Sequence, residues 1–285
     1  MFSFFGIFSI TAFGFSMIVF GFSSGFFPSN FAIRHLSSVF KPVTRRFEVS
    51  ISGSKKLKRQ MAPQFWGIGR KDKRFVITVR PGPHKKEYSI PTAIFLRDIL
   101  KIVTTLREAK ATIYTGKVKI DGVVRKSLHH AIGLMDVVEL ENVPEIYRLV
   151  PMEGKLLKPL QIKESEKAKK LVRVTSKTTI SKGKMQIGFH DGRSTISDTK
   201  VNVGDTCLIQ IPDQKILEVI KLEKDSQVLV TRGVNSGQIG KIESIEEGTF
   251  ILPRRAVLIL GERKIEIPTD IIMVIGKKEP IIQIK

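Results

Sequence analysis

The spacing of apolar residues changes from helical to strand-like near position 117. Pro91 suits a helix start, because the N–H it lacks has no partner there anyway. Ile94, Phe95, Ile99 and Ile102 follow at helical spacing, and Leu96 and Leu100 widen the stripe. Thr105 with Glu108 three residues on has the pattern of a capping box, which predicts a second helix. Leu106, Ala109 and Ile113 form its apolar face, and Gly116 ends it. From Lys117 to Ile120 charged and apolar residues alternate, as in a half-buried strand. Asp121-Gly122 is a tight hairpin turn, and Val123-Val124 begins the return strand. Gly133 to Asp136 reads as a turn into a further strand over 137–140.

Beyond position 150 the pattern is of short strands. Lys170 to Thr175, Lys184 to Phe189 and Leu208 to Ile211 are alternating or apolar runs. Gly183, Asp191-Gly192, Gly204-Asp205 and Pro212-Asp213 punctuate them. Val228 to Val230, Ile239 to Ile242, Ala256 to Leu260 and Ile271 to Ile275 continue the style to the end of the chain. Short strands at this interval predict a small barrel. The fold class expected is α+β: a small α/β module over 91–150, a β-rich segment over 151–222 and a barrel over 223–285.

Composition sets the first 48 residues apart. They hold thirteen of the eighteen Phe residues and, before Glu48, no acid. Three readings compete: a membrane anchor of about 20 apolar residues, a secretory signal lacking its basic start, and upstream sequence attached by a misplaced start. The expectation is that residues 1–48 are absent from the working protein and that no membrane is a partner. Initiation near Val49 or Ile51 would restore a start ahead of the basic tract.

Charge changes the picture more. The formal net charge is +21, and without residues 1–48 it is still +18. Positions 55–86 carry eleven Lys or Arg and one acid, Asp72. Lys55, Lys56, Lys58, Arg59, Arg70, Lys71, Lys73, Arg74, Arg80 and Lys85 are candidates to meet a polyanion in this arm, residues 49–90. A tract this dense binds phosphates irrespective of sequence. Phe65, Trp66 and Phe75 lie among the cations and are candidates to stack on unpaired bases. Low apolar content predicts that residues 52–64 are disordered alone and order on RNA. In the module, Arg97 and Lys101 on the first helix join Arg107 and Lys110 on the second. Lys117 and Lys119 on the strand, with Arg125 and Lys126 after the turn, complete one cationic face.

Other chemistry finds no footing. The five His residues pair with no Cys or carboxylate at metal-ligand spacing. No nucleophile elbow is present, and Gly233, Gly237 and Gly240 with Lys241 do not have phosphate-loop spacing. The lone Cys207 reads as a small core residue in a reducing compartment. No cofactor, metal or small-molecule substrate is expected, and no enzyme activity.

Several blocks together resemble a known family. Arg97-Asp98-x-Leu100, Leu106 to Ala109 and Gly116 to Gly122 resemble the small RNA-binding module first named for the bacterial ribosomal protein S-four. Lys55 to Arg59, Ala62-Pro63, Trp66 and Arg80-Pro81-Gly82-Pro83-His84 resemble the N-terminal signature of the archaeal and eukaryotic small-subunit ribosomal proteins of the S-four-e family. Gly133 to Val137, His190-Asp191-Gly192-Arg193 and Val274 to Lys277 are similar to later blocks of that family. Gly233, Gly237, Gly240 and Lys241 resemble a KOW element, which implies an SH3-like barrel. The resemblance covers about residues 52–284 and implies a structural, non-catalytic protein of the cytoplasmic ribosome. Its partners would be small-subunit rRNA and neighbouring small-subunit proteins, and it would support translation. It adds Trp66, His84, His190, Arg193, Arg232 and Lys241 to the expected RNA contacts. A free RNA-binding factor using the same module is the alternative.

Overall fold

The computed structural model describes residues 56–284, apart from 70, 142, 154, 262 and 278. The apolar extension and Lys55 lie outside the described residues, as does Arg70. The arm is folded against the rest. Strand β1 (Leu57–Lys58) pairs antiparallel with β2 (Phe75–Val76). Leu57, Ala62, Trp66, Ile68 and Val79 enter the same buried cluster as the two helices. The disorder expected from 56 to 64 is therefore corrected. Charge density predicted an open arm, but a few apolar residues spaced among the lysines dock it.

Strand β3 (Ile90–Pro91) leads directly into the first helix, Thr92–Ile94, which runs on through a π turn at Phe95–Ile99. Pro91 is the residue before this helix rather than its first turn. Lys101, with φ of 56°, stands in the left-handed region just past its end, so Ile102 falls off the predicted stripe and is exposed. The second helix, α2 (Leu106–Tyr114), has the predicted cap: Glu108 N–H donates to Thr105 Oγ1, and the Glu108 carboxylate accepts from Thr105 N–H. Ala109 and Ile113 are buried, whereas Leu106 is exposed.

Strands β4 (Val118–Ile120) and β5 (Val123–Val124) form the expected hairpin. Asp121 and Gly122 both have positive φ, 51° and 74°, which is the geometry of the tight turn that twists with its strands. Strand β6 (Ala131–Ile132) pairs with β3, and β7 (Val137–Leu140) pairs with β4. A long hairpin, β8 (Val143–Met152) and β9 (Lys155–Ile162), completes a five-stranded sheet ordered β5-β4-β7-β8-β9. That sheet runs straight across position 150. Pro159 stands in β9, at an edge of the sheet where no further strand among the described residues calls for the N–H that proline lacks.

The next sheet is formed by β10 (Lys169–Thr179), β11 (Met185–Phe189), β12 (Ser194–Ile196), β13 (Thr206–Gln210) and β14 (Lys215–Ile220). Its order is β12-β11-β10-β13-β14. Val172, Val174, Ile187, Phe189 and Cys207 fill its core. Burial pushes the Cys207 thiol up to about 12, so it is an inert core residue as expected.

The last sheet has β15 (Gln227–Val230), β16 (Ile239–Glu246), β17 (Arg255–Leu260), β18 (Arg263–Pro268) and β19 (Ile272–Gly276), ordered β18-β17-β16-β15-β19. All its pairings are antiparallel, and the sheet curls around its core as a half-barrel, open between β18 and β19, in keeping with the barrel expectation. That core also takes in Val150, Leu171 and Leu208 from the preceding sheets and Met135 from the turn before β7. Gly237 marks a close approach to the first sheet. A Cβ there would stand 2.5 Å from Met152 Cα, so only glycine lets this turn rest on the end of β8.

Candidate nucleic-acid interface

The cations foreseen in the sequence divide into an outer and an inner set. Lys56, Lys58, Lys71, Lys73, Arg74, Arg80 and Lys85 are exposed along the arm. Phe75 is 45% exposed, with Lys56 and Arg74 over its ring at 5.7 and 5.4 Å. It is the aromatic of this segment that faces outward with charge around it. Arg59 is half-buried and spends its guanidinium on the backbone, where Nε donates to Ile68 O at 3.1 Å. It ties the arm's own loop together.

On the module, Lys101, Arg107, Lys110, Lys119 and Lys126 are exposed, and Lys117 and Arg125 are half-buried. Lys110 lies over the ring of Tyr114, which is 52% exposed and points outward from the end of α2. Arg97 departs from expectation. Its side chain is only 10% exposed and grips the neighbouring Asp98 with two hydrogen bonds, at 2.9 and 2.6 Å. The hydrogen bond to Asp98 raises its pKa and its charge is already matched, so it is corrected from an open RNA contact to a neutralised pair. In the last sheet Lys241 is exposed, and Arg232 lies over the ring of Tyr88 at 4.4 Å.

Trp66, His84, His190 and Arg193 are corrected more strongly. Trp66 is fully buried, and its indole N–H donates to Ser89 O at 2.8 Å, so no base can reach its face. The other three belong to a buried network centred on Lys170. Lys170 Nζ donates to Asp136 at 2.6 Å, to Asp121 at 2.8 Å and to Asp191 at 3.1 Å. His84 Nε2 lies 3.0 Å from Asp136, whose carboxylate also accepts from Gly133 N–H. Arg193 donates to Asp121 at 2.8 Å, and Val137 N–H donates to the other Asp121 oxygen. Gly133 leaves room for the His84 ring, which a Cβ would strike at 2.4 Å.

The electrostatics follow from this geometry. Burial works against the charge on Lys170, but the three carboxylates outweigh it and raise its pKa. Burial also opposes ionisation of Asp136, yet His84 and Lys170 hold it well below the usual carboxylate range. Asp191 is lowered in the same way by Lys170 and His190 against burial. Asp121 is raised, because burial prevails there over Lys170. His190 Nδ1 accepts from Arg173 N–H at 3.1 Å, which leaves Nε2 to carry the proton toward Leu134 O. Burial brings its pKa down to about 4, so it is neutral.

The motif blocks that looked most like RNA contacts are thus the members of a buried clasp. Asp121 comes from the β4–β5 turn and Asp136 from the turn before β7. His84 comes from the arm, Lys170 from β10, and Asp191 and Arg193 from the turn after β11. Sequence reasoning placed Asp121-Gly122 and Asp191-Gly192 as turns but missed their shared cation. Lys170 was hidden in an alternating strand that gave no sign of its burial. Arg148 was missed for the same reason. It is fully buried, paired to Glu166 at 2.8 Å and donating to Lys169 O at 3.0 Å.

Comparison with known proteins follows the same outline. The model described as "Ribosomal family S4e" matches residues 143–216, and that of the "RS4NT (NUC023) domain" matches residues 52–87. The small ribosomal subunit protein eS4 of Methanothermobacter thermautotrophicus is 40% identical over 235 residues, covering 82% of this chain and 97% of that protein. The protein of the same name from Staphylothermus marinus is 37% identical over 246 residues, covering 82% and 97%. The crystal structure of the 30S ribosomal protein S4e from Thermoplasma acidophilum superposes with a TM-score of 0.58 at 31% identity, covering 67% of this chain and 97% of that one. With the fold, the arm and the motif blocks in agreement, the chain belongs to the S4e family of ribosomal proteins.

Proposed function

We propose that this protein is a structural, non-catalytic constituent of the small ribosomal subunit in the cytoplasm, where it binds small-subunit rRNA and supports translation. The supporting observation is the outer set of cations. Lys56, Lys58, Lys71, Lys73, Arg74, Arg80 and Lys85 on the arm, with Lys101, Arg107, Lys110, Lys119 and Lys126 on the module, are held exposed on a folded scaffold. Phosphate contacts on that scale fix a protein on structured RNA without reading its bases. Phe75 and Tyr114 add exposed rings beside the charge, suited to unpaired nucleotides. Neighbouring small-subunit proteins complete its partners. The relatives carry ribosomal names over 97% of their length, which favours this reading over a free modification or assembly factor.

Titration of the full chain with small-subunit RNA tests it. The log–log dependence of affinity on salt should have a slope of at least about 5 in magnitude. Arg107→Ala with Lys110→Ala should reduce that slope by about 2 and leave the melting temperature unchanged. A shallow slope in the parent protein, or failure to comigrate with small subunits in a sucrose gradient, would refute the assignment.

A further inference from the structure

A cleft of about 480 Å³ opens between the arm, the β10–β14 sheet and the last sheet. Its charged and polar lining includes Lys85, Tyr88, Arg173, Thr175, Arg232 and Asp270. Leu156, Leu157 and Met273 add apolar lining. We propose that this cleft receives one unpaired nucleotide extruded from the bound RNA, with its phosphate between Arg173 and Arg232 and its base against the Tyr88–Arg232 pair. The proposal rests on the RNA-binding reading above and names a subsite within it.

Three observations carry it. The volume lies in the range of pockets that enclose a ligand of nucleotide size. The Arg232 guanidinium rests over the Tyr88 ring at 4.4 Å, so a planar cation and a ring are already stacked at the cleft wall. Unstacked RNA bases are held on such surfaces. Finally, the cleft has more positive than negative charge. Lys85, Arg173 and Arg232 face a single carboxylate, Asp270, which is 82% exposed and stands 3.7 Å from Arg173. Arg173 is anchored by a 3.0 Å bond to Thr269 O. Burial lowers its pKa, and Arg232 opposes its charge further while Asp270 supports it. Two guanidiniums thus line one site with one loosely held anion. A phosphate satisfies both forks.

Ultraviolet cross-linking of the full chain to small-subunit RNA, followed by nuclease digestion and peptide mass spectrometry, tests the assignment. The expected product is a mononucleotide adduct on the peptide containing Tyr88. Arg232→Ala should weaken RNA binding about tenfold. Arg232→Lys, which keeps the charge but not the plane, should retain the parent salt slope and still bind more weakly. It carries the test should Arg232→Ala lower the melting temperature. Tight RNA binding with adducts confined to peptides bearing Phe75 or Tyr114, and unchanged affinity in both Arg232 variants, overturns the cleft while sparing the RNA-binding reading. Absence of RNA binding by the parent protein overturns both. Uridine monophosphate that binds the protein and is not displaced by RNA would assign the cleft to free nucleotides, against the proposal.

Discussion

At the residue scale, His190 is held neutral by its partners. Its ring accepts from Arg173 N–H at one nitrogen and faces Leu134 O with the other, beside the Lys170 ammonium. An unfolded histidine titrates near 6.5. With the folded value brought down to about 4, the unfolded chain binds more protons between these values. Stability contributed by keeping His190 neutral is therefore complete above pH 6.5 and is lost as pH falls toward 4. The loss is on the order of 3 kcal/mol. Urea denaturation from pH 7 to pH 4 should show it, and His190→Gln should flatten the profile across that window. An unchanged profile in the variant would mean that His190 does not set it. Asp136 and Asp191, both lowered, add a further loss only at more acidic pH. The motif block singled out His190 as an RNA contact, not as a buried neutral group. His190-Asp191-Gly192 carried a turn signal, and the cation that gathers its Asp lies 21 residues away on another strand.

At the scale of elements, what was legible depended on whether the signal was local. The capping box of α2, Gly116 at its end and the Asp121-Gly122 hairpin are fixed by neighbours in sequence, and each formed as read. The arm was misread because its fate depends on a distant core. Trp66 packs among helix residues and hydrogen-bonds Ser89, 23 positions on. It is also the only tryptophan in the chain. Its emission from the free protein should accordingly be blue-shifted and resistant to acrylamide. A red-shifted, freely quenched spectrum would mean that the arm is undocked before RNA arrives. Trp66→Ala should cost about 3–5 kcal/mol, since a buried indole is removed without a replacement.

At the scale of the molecule, the Lys170 clasp and the shared core make the described segments one cooperative object. Leu171 and Leu208 belong to the core of the last sheet although they lie on an earlier one. Lys170 links carboxylates from three separate turns. Thermal unfolding should therefore give the same midpoint by Trp66 fluorescence, which reports the arm, and by far-ultraviolet circular dichroism, which reports the sheets. Lys170→Met removes the cation and strands buried aspartates, a loss of about 3–5 kcal/mol. Both probes should move down together. Separate midpoints in the parent protein would show that the segments melt independently. The fold class and the barrel were legible at this scale because strand runs and turn residues recur along the chain. The clasp was not, because pairings between distant charges leave no period.

Pro159 bears on what happens before any partner is met. Each five-stranded sheet ends in strands whose outer backbone groups pair with no further strand among the described residues, and such edges invite joining between copies. Five of the six edge strands are blunted, each differently. Strand β9 carries Pro159 with Lys158 beside it. Strand β18 has Arg263 and Lys264 at one end and Pro268 at the other, β14 sets Lys215 and Glu218 among apolar residues, and β5 and β12 are only two and three residues long. A newly made copy crowded among others on a polysome thus meets mutual repulsion and interrupted ladders where it would otherwise aggregate. Solubility during the interval before assembly is written into the rims of the sheets.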